Sequence, residues 1–271
     1  MIDIYTIIPS IIIGLIEGVT EFLPISSTGH MIIASHWLGI EKNNANILEI
    51  FIQLGSSSAI LYFFRKKIIE MLKIKIVIKN NKTNVLHIFV SILPTIFLGV
   101  VFYQEIKLLF NCNNVIYALI LGGFFLIISE IFKPKKYQTL YFNKINLFQS
   151  IIIGLFQILC LCPGFSRSGA TIGAGILLGI KRSVAINFSF IISIPLLMGA
   201  SFFELINNFN DIKQSDYPTF FIGFIISFIV SILCIKKLLK IINKTSLIFF
   251  AIYRFIIVGL IYFIKYFYHI V

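Results

Sequence analysis

Charge is scarce in this chain. Asp, Glu, Lys and Arg make up 13% of its 271 residues, against roughly 25% in an average soluble domain. That shortage excludes a freely soluble globular protein. Cysteine is sparse too: there are four, at positions 112, 160, 162 and 234, without the spacing of a zinc site or a disulfide framework. They are expected to act as small buried hydrophobes. The opening MIDIYTI carries an aspartate in place of the basic residues that begin a secretory signal, and its apolar run leads straight into Glu17. A removable signal peptide is therefore not expected.

What fills the chain instead is apolar. Hydrophobic residues reach 58%, and mean hydropathy is +0.98. Several runs are about 18 residues or longer, enough to cross a ~30 Å hydrocarbon core. The chain is a multi-pass membrane protein. Its net charge of +12 does not signal nucleic acid, because the basic residues sit in short links between apolar runs. The links 65–82, 133–144, 181–182 and 236–244 hold 17 of the 23 lysines and arginines. Those at 41–46, 104–114 and 207–216 hold one lysine each. Such asymmetry orients a membrane chain with its basic links inside, which leaves both termini outside.

Displaced by 140 positions, the sequence meets itself. SIIIGL at 10–15 recurs letter for letter at 150–155, and without a gap Glu17 faces Gln157, Ser26 faces Ser166, Thr28 faces Ser168 and Gly29 faces Gly169. Thus LPISSTGH in the first half answers PGFSRSGA in the second. Three apolar spans follow the first copy, at about 46–64, 84–103 and 115–132. Three more follow the second, at about 183–206, 217–235 and 247–268. An odd number of crossings between copies turns the second one upside down.

The repeated segments are too broken to span. A helix over about 4–22 stops at Pro24, which cannot continue it, and a shorter one follows over about 29–39. The second copy has pieces at about 147–162 and 168–180, parted at Pro163-Gly164. Non-helical backbone at membrane depth survives only inside protein or beside a water-filled cavity. The expected fold is an all-α polytopic membrane protein with one membrane domain over 1–271. It comprises inverted repeats at 1–132 and 147–268, with six transmembrane helices and two re-entrant helix–loop–helix hairpins. Paired broken helices at matching positions point to a binding site at the interface of the repeats.

The polar residues of those loops carry the chemistry. Glu17 and Glu21 lie one helical turn apart, where two carboxylates repel in low dielectric unless a cation stands between them. Candidate cations are Arg167, a bound Mg²⁺ or Ca²⁺, or both; one or two carboxylates plus substrate phosphates commonly hold magnesium. Glu49 is a secondary candidate for the same site. Ser26, Thr28, Ser166 and Ser168 stand at helix starts, where hydroxyls cap backbone N–H groups and where phosphate binds. Arg167 supplies a planar fork suited to phosphate. His30, three residues after Ser27, makes a nucleophile-and-base layout. Phosphoryl transfer to Ser27, transfer to His30 and direct attack by water all remain open. Gly14/Gly18, Gly169/Gly173 and Gly175/Gly179 are expected to let helices pack closely. Arg254, in the last span, could pair with an acidic residue on a neighbouring helix; it reads as structural, with a part in the site as the lesser alternative.

EGVTEFLPISSTGH and PGFSRSGAT closely resemble the two signature segments of the BacA-type bacitracin-resistance family, the undecaprenyl-diphosphate phosphatases of bacterial inner membranes. The resemblance covers the whole chain in length, repeat layout and loop charge. It implies removal of the terminal phosphate from the C55 isoprenoid diphosphate, giving the monophosphate used in peptidoglycan synthesis, with divalent-cation dependence and a site open to the periplasm. It also implies that Glu17 and Glu21 form the acidic motif, that Ser27 and His30 are nucleophile and base candidates, and that Arg167 with Ser166 and Thr171 grips the diphosphate. The alternative is a polyprenyl-phosphate flippase without hydrolysis, which has no evident need for His30 beside Ser27 or for carboxylates that repel phosphate. The sequence leaves oligomeric state open, a homodimer included.

Overall fold

A computed structural model describes residues 4–40, 42–73, 83–209, 212 and 216–268. Among them the chain is helical and forms no strand; one isolated bridge joins Thr139 to Ile180. The helices are α1 (Ile4–Thr20), α2 (Ser27–Trp37), α3 (Lys42–Lys73), α4 (Val85–Val101), α5 (Tyr103–Leu108), α6 (Cys112–Ile131), α7 (Leu147–Gln157), α8 (Arg167–Leu177), α9 (Arg182–Asn207), α10 (Tyr217–Lys244) and α11 (Leu247–Tyr268). Their starts follow from local chemistry. Asn84, Asn111 and Asn146 cap α4, α6 and α7 with their side chains, and His87 and Gln149 complete reciprocal capping boxes. Each such cap satisfies an N–H that the helix itself cannot.

Five described helices are long and apolar enough to cross a membrane: Ala45–Lys73, Cys112–Ile131, Arg182–Asn207, Tyr217–Lys244 and Leu247–Ile264. The span expected at 84–103 is α4, which has 17 residues. At 1.5 Å per residue it rises about 25 Å, short of a ~30 Å core. It gives way at Phe102 to the six-residue α5. The two repeated segments appear as the pairs α1–α2 and α7–α8. α1 stops four residues ahead of Pro24, and α7 runs through a 3₁₀ turn, Ile158–Leu161, before Pro163.

Packing crosses between the halves of the chain. α1 lies against α10 from the second half, α7 against α4 from the first, and α3 runs between α9 and α10. Gly14 and Gly18 face α10 as expected: a Cβ on Gly18 would sit 2.8 Å from Val230 Cβ. The α7–α4 seam is tighter still, with a Cβ on Gly154 falling 2.5 Å from the Ser91 carbonyl oxygen. The largest apolar cluster gathers Phe22 and Ile25, between α1 and α2, with Leu126, Ile172 and Phe190. The loop is thereby anchored by its own hydrophobic residues. The cysteines are less buried than expected: Cys112, Cys160 and Cys234 are intermediate, and Cys162 is exposed on the loop before Pro163.

At the end that carries the lysine-rich links, one carboxylate joins three elements. Glu130, closing α6, accepts from Arg182 at the start of α9, from Lys133 at 2.6 Å and from the Leu247 backbone N–H at 3.0 Å. Arg182 also donates to the carbonyl of Thr245.

Candidate active site

The two loops are built alike. Ser26 precedes α2 and Ser166 precedes α8, each in left-handed backbone, with φ 73° and 75°. Such a conformation costs a non-glycine residue roughly 1–2 kcal/mol. Both serines use their side chains in the same way: Ser26 Oγ accepts from the Gly29 N–H at 3.2 Å, and Ser166 Oγ from the Gly169 N–H at 3.1 Å. The left-handed turn swings the next residue into the interior. In the first loop that residue is Ser27; in the second it is Arg167.

Those two residues meet on one carboxylate. Ser27 Oγ donates to Glu21 Oε2 at 2.5 Å, and Arg167 Nη2 to Glu21 Oε1 at 2.6 Å. The short O–H···O⁻ distance is that of a strong charge-assisted bond. All three groups are buried, so water screens them little. Arg167 Nη1 is anchored to the Ser189 carbonyl at 3.0 Å, while its buried Nε has no partner. One N–H of the fork thus stays available for a ligand oxygen. Ser168 Oγ reaches across to the Leu23 carbonyl at 3.2 Å, so the loops also touch directly.

The remaining expected site residues sort by position. Glu17, one turn before Glu21, accepts from Ser56 at 2.7 Å through Oε1, and its buried Oε2 has no partner. Thr28 accepts from Gln53 at 3.3 Å. Thr171 lies behind Arg167, bonded to the Arg167 carbonyl at 2.9 Å and to Ser189 Oγ at 2.6 Å. Glu49 accepts from Ser35 at 3.4 Å. Both ring nitrogens of His30 are bonded to groups other than Ser27. Its Nδ1 meets the Ser26 carbonyl at 2.7 Å, its Nε2 meets the Tyr253 hydroxyl at 3.0 Å, and the two rings stack. A carbonyl only accepts, so Nδ1 carries a proton, and in the neutral ring Nε2 accepts the Tyr253 O–H.

A cavity of about 450 Å³ opens onto this centre. Its polar lining includes Glu21, Ser26, Ser27, Thr28, Glu49, Ser166, Arg167 and Ser168. Glu17, His30 and Thr171 do not line it. Apolar residues of α4 and α9, among them Ile96, Val100, Leu197 and Phe203, also line it. Tyr103, Lys107, Glu204 and Asn208 ring the rim; there Tyr103 donates to Glu204 at 2.9 Å and Lys107 reaches Asn208 at 3.4 Å. A lining that combines charged and hydroxyl groups with apolar side chains suits a ligand with an anionic head and an apolar body.

The profile of the family described as "Bacitracin resistance protein BacA" matches residues 10–261. This chain belongs to that family. It is 72% identical over 265 residues to an undecaprenyl-diphosphatase of Buchnera aphidicola subsp. Acyrthosiphon pisum (strain Tuc7), covering 98% of this chain and all of that protein. It is 58% identical over 264 residues to an undecaprenyl-diphosphatase of Buchnera aphidicola subsp. Schizaphis graminum (strain Sg), covering 97% of this chain and all of that one.

Two features of this BacA-family chain escaped the sequence. Arg254 was expected to meet an acid; it meets carbonyls of both loops, Pro24 and Phe165. Tyr253, its neighbour, holds His30 from 223 positions away. No local pattern announces contacts of that range. The one available signal was an arginine deep in an apolar span, which marks a functional or tightly bonded group by default.

Proposed function

We propose that this chain is a membrane phosphatase that hydrolyses undecaprenyl diphosphate to undecaprenyl phosphate and inorganic phosphate. That reaction returns the lipid carrier to peptidoglycan synthesis and underlies bacitracin resistance. The observation that carries the proposal is the Ser27–Glu21–Arg167 bridge: a hydroxyl on a carboxylate, and the carboxylate on a guanidinium. In the reaction Glu21 takes the Ser27 proton as Oγ attacks the terminal phosphorus. The bond from that phosphorus to the bridging oxygen breaks, undecaprenyl phosphate leaves, and Arg167 neutralises the charge on the transferred group. Water then attacks the phosphoserine, releasing phosphate and restoring Ser27. The ring nitrogens of His30 are already engaged, which favours Ser27 over His30 as nucleophile. Ser26, Thr28, Ser166 and Ser168, with the N-termini of α2 and α8, cradle the diphosphate.

A divalent cation, Mg²⁺ or Ca²⁺ with low specificity, fits beside Glu17 and Glu21. Glu17 Oε2 is buried without a partner, an arrangement costly to leave unsatisfied. Among the described residues no three His, Cys, Asp or Glu side chains gather into a cage, so substrate phosphates and water would supply the other ligands, as is usual for magnesium. When bound, the ion offsets phosphate charge next to the two carboxylates. Chelation is expected to reduce phosphate release at least tenfold, and either cation is expected to restore it; unchanged release in chelator would remove the ion from the account.

The fold behind this reading consists of two inverted repeats, 1–132 and 147–268, with six crossings, α4 counted among them, and two re-entrant hairpins. Support comes from the matched left-handed serines and from the reciprocal packing of α1 on α10 and α7 on α4. The cavity rim lies at the ends of α4 and α9 remote from the lysine-rich links. With basic links inside, the site faces the periplasm from a bacterial inner membrane.

Phosphate release from undecaprenyl diphosphate in detergent tests the whole. Ser27→Ala and Glu21→Ala are each expected to lower kcat by about 10²–10⁴-fold, the usual contribution of a positioned nucleophile or base. Arg167→Lys is expected to fall at least tenfold, since an ammonium cannot bridge Glu21, Ser189 and a phosphate. Mass spectrometry of a trapped intermediate should place the phosphate on Ser27. Wild-type turnover in Ser27→Ala would overturn the assignment. Lipid movement without phosphate release would favour a flippase.

A further inference from the structure

Arg254 is completely buried, and among the described residues it forms no ion pair with a carboxylate. Its guanidinium is instead divided between the two loops. Nε and Nη2 both donate to the Pro24 carbonyl, at 3.0 and 2.7 Å, and Nη1 donates to the Phe165 carbonyl at 3.0 Å. Pro24 lies two residues before Ser26, and Phe165 directly before Ser166. The carbonyls it holds therefore lie two residues and one residue ahead of the left-handed serines that aim Ser27 and Arg167. The helix opposite leaves room for it: a Cβ on Gly122 of α6 would fall 2.0 Å from Arg254 Nη1 and 2.7 Å from the Phe165 carbonyl oxygen.

We infer that Arg254 is a positioning residue for the phosphatase reaction, one planar fork that fixes both loops at once so that Ser27 and Arg167 address the same phosphate. The inference rests on the proposed activity. A single lysine nitrogen retains the charge but lacks the fork that reaches both carbonyls. Two separately held loops could each be well folded yet slightly out of register, and misplacement of about 1 Å is enough to cost ~10²-fold in rate. Because Arg254 stands behind the loops, outside the cavity lining, its loss should act on kcat while leaving KM close to its original value.

The test uses the full-length protein in detergent with Arg254→Lys and Gly122→Ala, the second crowding an intact Arg254. Arg254→Lys is expected to lower kcat about 100-fold with KM within threefold of wild type, and Gly122→Ala to lower kcat about tenfold. Hydrogen–deuterium exchange gives a readout independent of turnover: segments 21–26 and 162–166 should exchange faster together in Arg254→Lys, with α3, α9 and α10 unchanged. Wild-type kcat in both variants would overturn the inference. So would faster exchange in one loop only, or faster exchange throughout, since a general scaffold residue would loosen everything. Should Arg254→Lys fail to fold, Gly122→Ala decides by the same kcat and exchange criteria. Wild-type protein that released no phosphate would sink the phosphatase reading itself, while paired loosening of the loops would still report on the fork.

Discussion

Ser26 and Ser166 hold backbone angles that glycine would adopt without strain. Their hydroxyls cap α2 and α8 and also line the cavity. Replacing a serine cap by glycine costs only a few tenths of a kcal/mol, less than the roughly 1–2 kcal/mol recovered from the left-handed conformation. Ser26→Gly and Ser166→Gly are therefore expected to raise the melting temperature while lowering turnover, a trade-off common at binding sites. Thermal denaturation measured alongside phosphate release checks both signs; a falling melting temperature would mean that the turns are not strained. At this scale much was legible in the sequence, because the 140-residue register sets Ser26 opposite Ser166 and Ser27 opposite Arg167. The pairing of Ser27 with Glu21 was harder to foresee than that with His30. Spacing along one helix suggests the histidine, whereas the turn at 21–25 folds the carboxylate back onto the serine.

Among the elements, the first helix of each hairpin packs closely on one helix from the other half of the chain. The α7–α4 contact depends on Gly154, whose missing Cβ admits the backbone of Ser91, and Ser91 Oγ in turn donates to the Ser150 carbonyl at 3.0 Å. Gly154→Ala forces a backbone shift and is expected to destabilise the protein by about 1–3 kcal/mol, as overpacking usually does. A thermal melt in detergent measures it, and an unchanged melt would show that α4 yields freely. Helix identities were readable from apolar runs and proline breaks. Lengths were less so. The apolar run at 84–103 reads as continuous, yet α4 closes at Val101 and α5 sets off from Tyr103. Hydropathy reports transfer into oil and is blind to a bend at Phe102.

For the whole molecule, orientation is the property that function depends on most. Cys162 is exposed and lines the cavity. A membrane-impermeant maleimide is expected to label a variant retaining Cys162 alone from the periplasmic side of intact cells, and from that side only. Labelling from the cytoplasmic side would reverse the proposed topology. The carboxylate of Glu130 stitches α6, α9 and α11 together at the lysine-rich end. Carrying a head group to the lysine-rich side would mean breaking those bonds, whereas removing a phosphate at the cavity leaves them intact.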